Sequence, residues 1–244
     1  MSVSLAPSAR KPRAYLAPHC LRLIWQNPAT RQFIAVGRFT DLDERGGYVF
    51  EYLPGAEKSG LVPLVEFPDF NVPYVSSALP AFFANRVMSR RRPGYEEYVS
   101  WLGLQALATP MEVLARTGGP RATDTFHLVY EPEERDGVRE SRFFVSGISH
   151  VKGASDLITP TLVGQVLTMR DDTHNPVNAR AILIDSMTDQ PIGWVPDWLV
   201  DEVHQLRREG TVELVADQVN PSAPPYLRLL CRLSARRPGT PQRS

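Results

Sequence analysis

Residues 174–203 read H-N-P-V-N-A-R-A-I-L-I-D-S-M-T-D-Q-P-I-G-W-V-P-D-W-L-V-D-E-V, and they carry most of the information about the fold. Asn175-Pro176 starts a turn, since Asn tolerates left-handed backbone and proline fixes φ. A-I-L-I-D (181–185) is an apolar strand, followed by a second turn and a G-W-V-P corner. Pro196-Asp197 then opens a helix over 198–208 that Gly210 ends. Leu199, Val203 and Leu206 fall at i, i+4 and i+7, which gives that helix one apolar stripe.

Working outward, residues 142–148, 165–170, 211–216 and 226–233 have strand patterning. Five or six short strands and one helix in about 95 residues predict a small closed or partly open barrel. Upstream, 21–25 and 32–39 flank the turn N-P-A-T-R, and 48–52 follows Gly46-Gly47. Prolines at 54, 63, 68, 73 and 80 mark an extended segment. Helices are expected over 82–88, 95–104 and 109–119, the last with Thr109 as N-cap, Pro110 in its first turn and Gly118 as stop. Residues 126–130 close this first block as a strand. The fold class is α+β, mostly β. The expected organisation is a flexible leader (1–19), a first block (20–130), a linker or exposed hairpin (131–141), a second block (142–234) and a disordered tail (235–244).

The chain has 27 basic and 27 acidic side chains, and only three of the basic ones are lysine. The charges balance in each half, so no domain-wide positive field exists and any nucleic-acid contact must be local. No apolar run approaches the roughly 18–20 residues that span a bilayer. The first residues lack the apolar stretch of a secretory signal, and a cytoplasmic location is expected. Cys20 and Cys231 are the only cysteines. They form no C-x-x-C pair, and two buried reduced thiols are expected.

The second block resembles a HIRAN domain through F-V-S-G-I-S-H, G-Q-V-L-T-M-R-D, N-P-x-x-A-R-A-I and I-G-W-V-P followed by a helix. The resemblance implies an OB-like barrel that grips the 3′ end of single-stranded DNA by stacking and by hydrogen bonds to the terminal hydroxyl. Asn175 matches the family position. Val177 stands where an aromatic is expected, Asn178 where an acid is, His150 where another aromatic is, and Asp197 where a cation is. The first block resembles the N-terminal subdomain of HipA-type toxin kinases through V-G-R-F-T, G-G-Y-V-F-E-Y, L-P-A-F-F-A-N-R-V and a short helix ending in G-G. That resemblance implies docking to a protein partner such as a kinase, helicase or nuclease, in a toxin–antitoxin, phage-defence or DNA-repair setting. No ATP-binding or catalytic kinase motif follows it.

The candidate DNA-contacting residues are His150, Lys152, Arg170, His174, Asn175, Asn178, Arg180 and Trp194. His150 and Trp194 offer ring faces, the two asparagines offer amides, and the cations offer phosphate contacts. Each has a plainer reading: Asn175, Pro176 and Asn178 as a turn, Trp194 as a core or hinge aromatic, and the cations as a solvated rim. In R-V-M-S-R-R-R-P (86–93), Arg90, Arg91 and Arg92 are candidates for binding an acidic partner or phosphates, or they mark an exposed helix end. No nucleotide-binding loop, nucleophile elbow or H-E-x-x-H motif occurs. The five histidines lack ligand spacing, and no cofactor or metal is expected. Asp171, Asp172 and His174 suggest a nuclease only loosely and read better as a polar turn. The sequence therefore predicts a non-catalytic binding protein. One version reads single-stranded DNA or DNA ends and docks a partner; the other is a purely protein-binding regulator.

Overall fold

A computed structural model describes residues 19–42, 46–130, 134–135 and 137–236. The expected leader except His19, the tail beyond Arg236, and residues 131–133 and 136 of the expected linker lie outside the described residues. Among the described residues no helix is long and apolar enough to cross a membrane.

The first sheet is antiparallel and contains β1 (Cys20–Gln26), β2 (Phe33–Asp41), β3 (Tyr48–Tyr52), β4 (Tyr74–Ser76) and β5 (Phe126–Tyr130), in the order β4-β3-β2-β1-β5. Asn27 makes the β1–β2 turn by accepting the Ala29 and Thr30 N–H groups on its side-chain oxygen. β4 was not foreseen, because it lies between Pro73 and Pro80. It is an edge strand, the place in a sheet where neighbouring prolines are tolerated. Leu21, Leu23, Phe39, Phe50, Phe83 and Leu114 are buried beneath the sheet.

Helices in the first block are shorter than their periodicity suggests. α1 (Ala81–Ala84) stops after one turn, where a helix was expected through residue 88. The cause is Arg86, only 8% exposed, whose guanidinium turns inward. It donates to the Gly119 carbonyl (2.8 Å) and to Asp124 (2.6 Å), and lies 4.2 Å above the Phe82 ring. α2 (Tyr95–Trp101) ends short of Gly103, which adopts a positive φ. α3 (Pro110–Thr117) has the predicted Thr109 cap: Thr109 accepts from the Glu112 N–H and Glu112 accepts from the Thr109 N–H. Gly118 terminates it in the left-handed region.

The second sheet contains β6 (Glu134–Arg135), β7 (Val138–Phe144), β8 (Val166–Asp171), β9 (Ile182–Asp185), β10 (Pro191–Trp194), β11 (Thr211–Val219) and β12 (Leu229–Arg236). Its order is β10-β9-β8-β11-β12-β7-β6. α4 (Ala154–Ile158) and α5 (Asp197–Glu209) complete it. Part of the stretch read as linker or hairpin is sheet: Glu134 pairs with Arg139 across Gly137. β7 begins four residues earlier than the predicted strand, and it also stops four residues short of that strand's end, where Gly147 turns the chain into a short 3-10 turn at Ile148–His150. Gly193 and Trp194 of the stretch read as a G-W-V-P corner close a strand, β10.

This sheet curls into a half-barrel. Ser146, just past β7, meets Trp194 at the end of β10 through two backbone hydrogen bonds of 2.8 and 2.9 Å. Two glycines permit that approach. A Cβ on Gly193 would come within 2.5 Å of Val145 and 2.6 Å of the Ser146 carbonyl, and a Cβ on Gly147 within 2.6 Å of the Trp194 ring. Phe143, Ile182, Ile184, Leu199, Val203 and Leu229 fill the interior. The molecule is therefore α+β and mostly β. A third apolar cluster lies between the sheets, where Tyr95, Val99, Leu102 and Val113 meet Ala223 and Leu227.

Candidate nucleic-acid interface

The mouth of the half-barrel is assembled from the turn after β7, the β8–β9 connection, the end of β10 and the start of α5. Asp172 is its centre. One carboxylate oxygen accepts from the Trp194 indole N–H (2.9 Å) and the Asn175 amide (3.0 Å). These two donors, Trp194 first, hold the Asp172 carboxyl below the usual range; Arg170 and His174 add to the effect through their charge. The Asn175 oxygen accepts from the N–H groups of Val177 (3.0 Å) and Asn178 (3.1 Å). Asn178 donates to Asp197 (3.1 Å) and accepts from the Arg180 N–H (2.9 Å). Both side chains expected to contact DNA are thus engaged in shaping the loop, as the turn reading held.

The expected phosphate patch does not assemble as a set. Arg170 donates through two nitrogens to Asp185 (2.6 and 3.3 Å), whose side chain is only 4% exposed. Freeing that arginine would leave a buried carboxylate without its counter-charge, which is costly. Arg180 is paired with Asp201. Lys152 is exposed and makes no ion pair among the described residues, and His174 has a long contact with the Thr173 hydroxyl (3.4 Å) beside its charge interaction with Asp172. In the first block Arg90 donates to the carbonyls of Leu107 (3.1 Å) and Ala108 (2.6 Å), which fixes the loop ahead of α3. It makes a structural contact although exposed, and Arg91 and Arg92 are exposed too.

Trp194 is half-buried against Gly147 with its N–H already engaged, so it is mainly a seam residue. Asp171 pairs with Arg207 (2.7 Å), while Asp172 holds the mouth. The two carboxylates serve different partners. Among the described residues no cluster of three His, Cys, Asp or Glu side chains is placed to hold a metal. Cys20 and Cys231 form no disulfide with each other. Cys231 is buried and its pKa is raised by that burial, whereas Cys20 is only half-buried, contrary to expectation.

A residue the sequence reading missed is Tyr226. It was placed inside a strand, but β12 starts only at Leu229 and Tyr226 sits on a 3-10 turn, Pro225–Leu227, with 67% exposure. The available signal was P-P-Y at 224–226, a turn opening. This turn packs against the Ile148–His150 turn. An exposed phenol, the exposed His150 imidazole and the Lys152 ammonium therefore occupy adjoining turns. On the other side Tyr98 of α2 adjoins Tyr226, and burial together with that neighbour raises its hydroxyl to about 12. A cleft of about 30 Å³ lies between the sheets, lined in part by Arg116, Ser141, Trp198 and Glu202. It has room for a water or two and not for a base.

No protein-family model matches the chain, and no curated protein does. Two solved structures show a partial likeness. A protein from Lactobacillus plantarum is 12% identical, covering 41% of this chain and 99% of its own, with a TM-score of 0.33. The HIRAN domain of human HLTF is 13% identical, covering 41% of this chain and 75% of its own, with a TM-score of 0.32.

Proposed function

We propose that the protein is a non-catalytic, cytoplasmic binding protein whose half-barrel takes single-stranded DNA, including a DNA 3′ end, while the first block docks a protein partner. The observation that carries the DNA reading is the exposed group of Tyr226, His150 and Lys152 on adjoining turns. Every base has a face to stack on a ring, and stacking contributes about 1–3 kcal/mol per base. With Arg170 and Arg180 held by carboxylates, stacking has to supply more of the affinity than phosphate contacts do.

Fluorescence anisotropy with labelled single strands at low salt tests this, with a 3′-phosphate oligonucleotide and a blunt duplex as competitors. Tyr226→Ala is expected to weaken binding by about fivefold or more, following the stacking magnitude, and His150→Ala in the same direction. The salt slope should be shallow, about −0.7 for each phosphate neutralised. Affinity no tighter than the roughly 10⁻⁴–10⁻⁶ M of non-specific contacts, and unchanged in both variants, would sink the reading.

The second reading is a regulator that binds only protein, its half-barrel serving as scaffold. The pairing of Arg170 with Asp185 and Arg180 with Asp201 favours it, because it removes the two strongest phosphate forks from the mouth.

A further inference from the structure

The loop between β11 and β12, residues 220–228, carries Tyr226 and is built on the first block. The last carbonyls of a helix lack intrahelical partners. In α2 the Tyr98, Val99 and Ser100 carbonyls accept from the backbone N–H groups of Leu102, Leu104 and Gly103, and the Ser100 and Trp101 carbonyls also accept from the other sheet. Gln218, near the end of β11, donates to the Ser100 carbonyl (2.6 Å). Asn220 donates to the Trp101 carbonyl (2.8 Å). The same Asn220 amide also donates to the Leu227 carbonyl (2.7 Å), and its oxygen accepts from Gln218 (2.8 Å). Its backbone N–H reaches the Arg228 carbonyl (2.8 Å). Asn220 is 6% exposed and uses its amide hydrogens and oxygen in this one knot. Ala223 and Leu227 bury their side chains against Tyr95, Val99 and Leu102. Arg228 ties the other flank, donating to the Ala223 carbonyl (3.0 Å) and to the Ser155 hydroxyl of α4.

We propose that α2 of the first block is the internal partner of the DNA site: through Asn220 and Gln218 it positions the loop that presents Tyr226. This rests on the DNA-binding reading above. The nucleic-acid site then belongs to both sheets together. Asn220 and Gln218 are positioning residues, since they act through Tyr226 and touch no base. A bare turn of eight or nine residues would sample many orientations, and ordering it before the ligand arrives removes that entropy cost from binding.

The test is a double-mutant cycle on the full-length chain, read by anisotropy with a single-stranded oligonucleotide. Asn220→Ala and the milder Gln218→Ala are each made with and without Tyr226→Ala, and amide hydrogen exchange is followed over 221–228. With Tyr226 present, Asn220→Ala is expected to weaken binding by a factor close to that of Tyr226→Ala, about fivefold or more by the stacking magnitude. In the Tyr226→Ala background it should add nothing, and exchange over 221–228 should rise in both Asn220→Ala and Gln218→Ala. Losses that multiply instead of merging would overturn the proposal. So would faster exchange with unchanged affinity. Should Asn220→Ala fail to fold, the Gln218→Ala cycle decides by the same criterion. A wild-type chain that binds no single strand overturns the DNA reading itself, an outcome distinct from multiplicative losses in a chain that does bind.

Discussion

Gly193 and Gly147 show how single residues set the shape of the second sheet. Gly193 has φ of 152° and Gly147 of 70°, and at each a methyl group would overlap atoms across the seam. At Gly193 one of those atoms is the Ser146 carbonyl oxygen, which cannot move without breaking the Ser146–Trp194 bridge. Gly193→Ala is therefore expected to destabilise the protein by about 2–4 kcal/mol, in the range of strained or overpacked sites, as read by urea unfolding. A second residue, His127, links stability to pH. Burial lowers its pKa first, the nearby Arg86 charge lowers it further, and Asp124 opposes both. Its folded pKa is below the unfolded value of about 6.5, so the unfolded chain binds the proton more readily. Stability contributed by neutral His127 is present above that value and is lost as pH falls through the folded pKa. Melting temperature should drop as pH falls below about 6.5, and His127→Gln should flatten that part of the profile. An unchanged slope in the variant would assign the pH dependence to other groups.

At the scale of elements, the sequence was most legible where local chemistry and tertiary structure agree. The strands at 48–52 and 126–130 and the helix α5 lie where hydrophobic period and turn residues place them. α3 is marked at both ends by Thr109 and Gly118. Thr109→Ala is expected to cost about 1 kcal/mol, the usual worth of an N-cap, in a denaturant titration; a loss under a few tenths would mean the Glu112 half of the box suffices. Legibility failed where a distant partner decides. α1 stops early because Arg86 is drawn to Gly119 and Asp124, more than thirty residues away. β10 hides behind Pro191 and Gly193, turn residues by habit and strand residues here because the seam requires a missing side chain. At the mouth, the types of residue were readable but their partners were not. Asn175 and Trp194 are joined through Asp172, an acid whose local neighbours suggested only a polar turn. Arg170 and Arg180 look like phosphate ligands until Asp185 and Asp201 are brought beside them. Tyr226 was lost to an apolar run that begins three residues before its strand.

For the whole molecule, the sequence suggested two blocks with a linker between them, and the contacts suggest a single cooperative unit. Three kinds of interaction cross between the sheets. The apolar cluster joins Tyr95, Val99 and Leu102 to Ala223 and Leu227. The amides of Gln218 and Asn220 donate to the Ser100 and Trp101 carbonyls at the end of α2. Glu202 of α5 reaches across to Arg22 of β1 at 3.5 Å, while also pairing within its own block with Arg139 of β7 at 3.0 Å. The ion pairs are partly exposed and contribute little alone. Separating the sheets would, however, expose an apolar face and take from the Trp101 carbonyl its Asn220 donor at once, so neither half has a low-cost way to open first. Thermal unfolding is accordingly expected to be one transition, with calorimetric and van't Hoff enthalpies in agreement. Tryptophan fluorescence should report the same midpoint as far-UV circular dichroism, since Trp25 lies in the first sheet and Trp194 in the second. Two resolved transitions would show that the inter-sheet cluster is too weak to couple the halves. They would also give the positioning role of α2 a direct test, since Tyr226 should lose its fixed orientation once the first block has melted.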